Sequence, residues 1–149
     1  MGTKKIILYW NSQIYVMYHG TTVSSAERII MNGFHQSPDG MLGRGVYISR
    51  DHEKAGRYPM EDKSEQVILK LRVRVGKVKK IDYQGHPLQK TWHDRGYNTA
   101  WVPPNCGMLG SGLEEDCVWN PSRITVIGVE KAPPGSFHHL QQLLSNYIR

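Results

Sequence analysis

The sequence predicts one α+β domain that combines several short strands with two or three small helices. The chain has 149 residues, a length that suits a single compact domain, so we expect residues 1–149 to form one unit. Its hydrophobic fraction of 39% is typical of a globular protein rather than a disordered one. Segments typical of strands and segments typical of helices are short and mixed along the chain, which favours the α+β class.

Apolar runs and helix-boundary signals predict the first elements. The apolar run Tyr15–Tyr18 predicts a strand. Ser24, with Glu27 three residues later, matches a capping box and predicts the start of a helix. We expect this helix to end at Gly33, because glycine is the usual residue just past a helix C-terminus. A polar, glycine-rich loop is then expected over Gln36–Gly43.

The rest of the chain is interpreted in the same way. Further strands are predicted at Gly45–Ser49, Val67–Val75, Cys117–Trp119 and Thr125–Val129. Short helices are predicted at Asp51–Tyr58, ended by Pro59, and at Leu140–Ile148. From Asp82 to Gly112 turn signals, aromatics and prolines predict a long structured loop, and long loops in compact domains are more often functional than idle.

Basic residues cluster in the middle of the chain. The formal net charge is +6, which favours an anionic partner such as nucleic acid, a membrane surface or a polyphosphate ligand. The cluster consists of Lys70, Arg72, Arg74, Lys77, Lys79 and Lys80. Within Leu69–Val75 the basic residues alternate with apolar ones, which predicts the solvated outer face of a half-buried strand. A nucleic-acid contact through Lys70, Arg72 and Arg74 is the alternative interpretation.

The composition gives little support to membrane, disulfide or metal functions. No apolar run approaches the roughly 18 residues of a membrane span, and the N-terminus lacks the body of a signal peptide, so we expect a cytoplasmic protein, with the nucleus as the alternative. Cys106 and Cys117 are expected to be free thiols. A Cys106 nucleophile with His93 as base lacks the flanking residues of a known cysteine hydrolase. His138-His139 lacks partners at ligand spacing, so no metal is expected.

Three motifs place a chemically capable residue at a predicted strand end, and the first two contain glycine next to it or two residues before it. They are Tyr18-His19-Gly20-Thr21, Gly43-Arg44-Gly45-Val46-Tyr47-Ile48-Ser49 and Glu115-Asp116-Cys117-Val118-Trp119-Asn120-Pro121. Each motif alone is more often structural than functional. The glycines from Gly40 to Gly45 also lack the order and the strand-to-helix context of a dinucleotide fingerprint, so no Rossmann fold is predicted.

Taken in this order, the motifs resemble the His-Tyr-Glu signature of the poly(ADP-ribose) polymerase family, the diphtheria-toxin-like ADP-ribosyltransferases. In that family a His-Gly pair opens the NAD⁺ site, a Gly-x-Tyr strand follows, and a glutamate begins a late strand. A second tyrosine follows the first at the spacing that separates Tyr47 from Tyr58. The resemblance covers roughly residues 14–130 and implies a compact ADP-ribosyltransferase domain with a split antiparallel β core.

The resemblance also implies how NAD⁺, the expected substrate, is bound. The expected contacts are His19, Gly20, Thr21, Tyr47, Ser49 and Tyr58. His19 would bind the adenosine ribose and Gly20 the nicotinamide carboxamide, while the rings of Tyr47 and Tyr58 would flank the nicotinamide. Glu115 would bind the nicotinamide ribose and stabilise the cation that develops as the bond to nicotinamide breaks. Glu115, His19 and Tyr47 are therefore the expected catalytic residues.

Two departures from the family pattern bear on this site. Glu114 stands beside Glu115, and a one-residue register slip would exchange the two carboxylates. We prefer Glu115, because it keeps the apolar run that follows in the family register. Ala55 stands where the family often has a serine that helps to hold the carboxamide, and Arg44 or Arg57 could compensate by contacting pyrophosphate.

The resemblance implies transfer of single ADP-ribose units, with a protein as the expected acceptor. A closer resemblance, carried by Met41–Gly43, Tyr97–Met108 and Ser111–Cys117, is to the grass carp reovirus-induced gene 2 group of interferon-inducible antiviral proteins. That resemblance implies an innate-immune context. The alternative is a catalytically inactive module of the same fold that binds RNA or protein.

Overall fold

Seven strands and three α-helices form the part of the chain that the computed structural model describes, residues 13–56 and 63–147. The strands are β1 (Ile14–Thr22), β2 (Val46–Ile48), β3 (Gln66–Arg74), β4 (Val78–Lys80), β5 (Thr99–Val102), β6 (Glu115–Val118) and β7 (Ile124–Lys131). The helices are α1 (Val23–Asn32), α2 (His52–Gly56) and α3 (Pro134–Tyr147). Single 3₁₀ turns occur at Lys63–Glu65, His93–Arg95 and Pro121–Arg123.

The strands form two sheets. One sheet has the order β1-β3-β7 and is antiparallel throughout, and the other has the order β2-β6-β5-β4. The two meet where the backbones of Tyr18 and Ser49 exchange hydrogen bonds of 2.7 and 3.1 Å. The α+β class and the split β core are thus confirmed. The β4–β5 pair is parallel, so the second sheet is mixed rather than purely antiparallel as expected.

Strand β3 gives the first sheet its two faces. Leu69, Leu71 and Val73 are fully buried on one side, where α1 and α3 pack against them. Burial of one such side chain stabilises the fold by about 1.5–3 kcal/mol. Arg72 and Arg74 alternate with them and are exposed on the other side. The predicted strand and its solvated basic face are therefore confirmed.

The second sheet has its own apolar cluster, which includes a strand that was predicted as loop. Trp92 is 1% exposed and packs with Leu42, and its indole Nε1 donates to the Leu42 carbonyl at 2.8 Å. Strand β5 lies inside the predicted Asp82–Gly112 loop, so that prediction was wrong over four residues. The strand is short and its neighbours β4 and β6 are distant in sequence, so no local alternation marks it.

Helix α1 begins earlier than the capping-box prediction placed it. Thr22, not Ser24, is the N-cap, and its hydroxyl accepts from the Ser25 N–H at 3.2 Å. Glu27 instead pairs with His139 of α3, with 2.7 Å between carboxylate oxygen and imidazole Nε2. The helix ends at Gly33, which has a φ of 84°, as predicted.

Two other elements extend beyond their predicted bounds, because each is longer than the apolar run that indicated it. Strand β1 continues through His19 and Gly20, which pair with residues of β3, so neither lies at a strand end as predicted. Helix α3 starts at Pro134, before the first predicted residue. Both cysteines are free thiols. No described helix is long and apolar enough to cross a bilayer.

Candidate active site

A cavity of about 330 Å³ lies where the two sheets meet, next to helix α2. His19 and Gly20 of β1, Tyr47 of β2, Ser49 after β2 and Glu115 of β6 all line it. Residues that are far apart in sequence are thus brought to one concave surface. Cavities of this size with a few converging polar groups are the usual form of a small-molecule site.

The surroundings of His19 favour a neutral imidazole. Its Nδ1 lies 3.1 Å from the Tyr47 carbonyl oxygen, which can only accept, so Nδ1 carries the proton and Nε2 is an acceptor. The ring also packs edge-on against Phe34, with 5.1 Å between ring centroids. Burial lowers the pKa of His19, and the carbonyl contact offsets this only in part. An acceptor nitrogen at this position suits a ligand hydroxyl.

The hydroxyl of Tyr47 holds the loop that precedes its strand. It donates to the Gly43 carbonyl at 2.5 Å and accepts from the Leu42 N–H at 2.9 Å. Gly40 packs directly on it, because a Cβ at that position would lie 2.5 Å from the hydroxyl oxygen. Burial raises the pKa of Tyr47 well above its usual value. The ring is therefore the part of Tyr47 that can meet a ligand in the cavity.

Glu115 is the first residue of β6, paired with Val102 of β5, and its side chain is 18% exposed. Burial raises the pKa of its carboxyl, while the Lys54 ammonium, 3.7 Å away, opposes that rise. Lys54 lies on α2 and lines the same cavity. Glu115 is thus a partly buried carboxylate with one cationic partner.

The neighbouring Glu114 points the other way and is fully engaged. Its carboxylate accepts from the Ser49 hydroxyl at 2.5 Å, from the Arg50 backbone N–H at 2.7 Å and from Arg50 Nε at 3.0 Å. It also accepts from the indole Nε1 of Trp101 at 3.1 Å. Burial favours its neutral form, but hydrogen bonds from Asp116, Ser49 and Arg50 outweigh this and lower the pKa. Glu114 therefore joins β2 to β5 as an ionised strut.

The remaining predicted residues are placed less directly. Thr21 lines an adjoining cavity of about 310 Å³, which shares His19 and Tyr47 with the first. The Ser49 hydroxyl lines the main cavity but is committed to Glu114. Ala55 lies in the cavity wall and is 6% exposed.

Other candidates lie elsewhere or outside the described residues. Tyr58 and Arg57 fall in the segment 57–62, outside the described residues, so their predicted roles stay predictions. Arg44 makes a long contact to Gln36 at 3.5 Å. The ring of His93 stacks on Trp119 at 3.8 Å. Among the described residues no group of three or more His, Cys, Asp or Glu side chains is arranged to hold a metal ion.

Sequence reasoning missed the contributions of Lys54 and Glu114. Lys54 precedes Ala55, which stands where the family often has a serine. This neighbouring departure from the family pattern is the sequence signal that could have indicated Lys54. Nothing local marked Glu114 as a strut, because its partners come from two distant parts of the chain.

The family model for the poly(ADP-ribose) polymerase catalytic domain matches residues 4–100 of this chain. The matched range includes His19, Gly20 and Tyr47 and ends before β6, so the assignment of Glu115 depends on the geometry of the cavity. A search of curated proteins gave no match.

Proposed function

This chain belongs to the poly(ADP-ribose) polymerase catalytic-domain family, and we propose that it transfers single ADP-ribose units from NAD⁺ to a protein acceptor. One observation carries the assignment of the site. Glu115, His19 and Tyr47 come from three different strands and two sheets, yet they line a single cavity. That convergence is what a site for one ligand requires, whereas three unrelated structural residues have no reason to meet.

The proposed chemistry breaks the bond between ribose C1′ and nicotinamide and passes through a cation-like state. Nε2 of His19 accepts a hydrogen bond from a ribose hydroxyl, and the Tyr47 ring packs on the nicotinamide. The Glu115 carboxylate stabilises the positive charge that develops at C1′ and receives the proton of the acceptor. The bond to the acceptor forms at C1′ as nicotinamide departs.

Lys54 favours the ionised form of this carboxylate. Burial alone would move Glu115 toward its neutral form, and a neutral carboxyl cannot stabilise a cation. The ammonium at 3.7 Å opposes that tendency, so it supports the ionised form near neutral pH. The same pair leaves the cavity with less net negative charge, which suits a ligand that carries a pyrophosphate.

The test compares wild-type protein with Glu115→Gln and Glu114→Gln, using labelled NAD⁺. We expect Glu115→Gln to fold normally and to reduce self-modification by about 10²–10⁴-fold, as for loss of a catalytic charge stabiliser. Glu114→Gln removes a structural strut, so its activity is normalised to the folded fraction measured by circular dichroism. Normal transfer by folded Glu115→Gln would overturn the assignment. Absence of both NAD⁺ binding and transfer in wild type would overturn the proposed function.

A second candidate is a module that keeps the fold without turnover and binds RNA. Ala55 stands where the family often has a serine, which favours weaker holding of nicotinamide. Arg72 and Arg74 are exposed on the open face of the first sheet, and Ile14 and Val16 on that face are 54% and 46% exposed. An apolar face with cations suits a nucleic acid. Salt-sensitive RNA binding that is lost when Lys70, Arg72 and Arg74 are neutralised would support it.

The biological setting is proposed on the closer sequence resemblance alone. Met41–Gly43, Tyr97–Met108 and Ser111–Cys117 support membership of the grass carp reovirus-induced gene 2 group and an antiviral, interferon-induced role in the cytoplasm. Induction of the transcript by interferon, and imaging of the tagged protein in infected cells, test that setting. A single protease-resistant core spanning residues 13–147 would support the one-domain organisation.

A further inference from the structure

A second cavity, of about 390 Å³, lies on the far side of β6 from Glu115. Its walls are apolar and aromatic and come from β1, the end of β3 and the strands β4 and β5. They include Tyr15, Met17, Val75, Val78 and Trp101. None of its lining residues lines the candidate active site. Successive side chains of a strand point to opposite faces, so Glu115 serves one cavity and Asp116 the other.

A fixed guanidinium forms part of the polar wall of this cavity. Arg50 lies over two rings, with its Cζ 5.2 Å from the Tyr15 centroid and 5.1 Å from the Trp101 centroid. Its Nε is committed to Glu114 at 3.0 Å. For its two terminal nitrogens, the described residues supply no hydrogen-bond partner. A guanidinium held in this way presents two parallel donors.

An unpaired buried oxygen lies in the same wall. Asp116 is 3% exposed and lines the cavity, and its Oδ2 has no hydrogen-bond partner among the described residues. A buried polar atom without a partner costs stability, so it commonly marks a place where a ligand or water binds. Burial raises the pKa of this carboxyl well above its usual value. The neutral carboxyl donates its hydroxyl hydrogen to Glu114, so Oδ2 is left as an acceptor that lacks a donor.

We propose that this cavity binds a guanine base. Guanine presents two adjacent acceptors, O6 and N7, which match the paired donors of Arg50. Next to these acceptors guanine presents the N1–H and N2–H donors. Such a donor would supply the hydrogen bond that Oδ2 of Asp116 lacks. Adenine has an acceptor and a donor in place of the O6–N7 pair, so it cannot satisfy a guanidinium in this way.

The rest of the cavity suits the other parts of a nucleotide. Tyr15 and Trp101 hold the Arg50 guanidinium by cation–π contacts and give the cavity an aromatic wall beside it. Lys80 lines the cavity with a side chain that is 59% exposed. Among the described residues its ammonium makes only a long, exposed pair with Asp82 at 3.9 Å, so it can turn to a phosphate outside the base pocket. The guanine can belong to a free nucleotide or to single-stranded RNA, and the test distinguishes these two sources.

Calorimetric titration of the full chain with GMP and AMP tests the proposal. We expect GMP to bind at least about tenfold more tightly than AMP, because one correctly read base edge is worth that much discrimination. Val78→Trp fills the rim of the cavity and should weaken GMP binding by at least about tenfold. Ile127→Trp is the matched control, since Val78 and Ile127 are both 38% exposed and Ile127 is not among the residues lining the cavity. Nucleotide binding that survives Val78→Trp belongs to another site.

A second variant and a second probe complete the experiment. Asp116→Asn keeps the side-chain size and should reduce the preference for GMP over AMP, with folding checked by circular dichroism. A pentaribonucleotide of adenines with one central guanine, compared with GMP, identifies the source. Tighter binding of the oligomer assigns RNA, and equal binding assigns the free nucleotide. Equal affinity for GMP and AMP in the binding that Val78→Trp removes, or GMP binding unchanged by Val78→Trp, would overturn the proposal.

Discussion

Replacing Lys54 with methionine tests how the cavity sets the charge of Glu115. At the 3.7 Å separation of the two charges, Coulomb's law gives about 1 kcal/mol in bulk water and about 4–5 kcal/mol at an effective dielectric constant near 20. The side chains are 22% and 18% exposed, so the attraction lies between these limits. A pKa unit corresponds to about 1.4 kcal/mol, so we expect Lys54→Met to raise the pKa of Glu115 by about 1–3 units.

The direct assay is an NMR titration of isotope-labelled glutamate carboxyl groups, with the Glu115 signal assigned from Glu115→Gln. In the proposed mechanism transfer requires the carboxylate, so we expect activity to fall as the pH drops below the pKa of this group. A higher pKa therefore moves the acid limb of the pH–rate profile to higher pH by the same amount. Lys80→Met is the control, because Lys80 pairs at 3.9 Å with Asp82, whose side chain is 42% exposed, and neither residue lines the candidate active site. An unchanged Glu115 titration in Lys54→Met would refute the reasoning.

Three further predictions concern the frame of the site. Glu114→Gln should lower the free energy of unfolding by about 3–5 kcal/mol in urea titrations, because it leaves buried partners without their charge; a loss under about 1 kcal/mol would contradict the strut. Gly40→Ala places a methyl group against the pocket tyrosine's hydroxyl and should weaken NAD⁺ binding, whereas Gly110→Ala, with no atom near its Cβ, should bind normally. Thr22→Ala should cost about 1 kcal/mol as loss of an N-cap, and equal cost for Ser24→Ala would contradict the cap assignment.

The first sheet could be predicted from sequence because its signal is local. Leu69, Leu71 and Val73 alternate with cations along β3, and a period of two is enough to fix both the strand and its buried face. Gly33 was equally local, since a helix end that needs a positive φ favours glycine. These features depend on residues within one element.

Features decided by partners elsewhere in the chain could not be predicted. The capping box at Ser24 was a valid local pattern, but β1 runs directly into α1, so Thr22 reaches the cap position first. Strand β5 is defined by its pairing with β4 and β6 rather than by its own four residues. From the sequence, Glu115 was preferred over Glu114 only because it kept the following apolar run in the family register. The structure adds that Ser49, Arg50 and Trp101 donate four hydrogen bonds to the Glu114 carboxylate, which hold it away from the candidate active site.

Successive side chains at the start of β6 point to opposite faces of the strand, so Glu114 and Glu115 lie in different surroundings. Glu114 holds strands together, and Glu115 contributes charge to the cavity while making one long ion pair. On the proposed mechanism, a substitution at Glu115 therefore changes the chemistry with little effect on folding, whereas one at Glu114 destabilises the whole domain. Descendants of such a chain can lose turnover in one step and still inherit an intact protein, free to acquire another binding role.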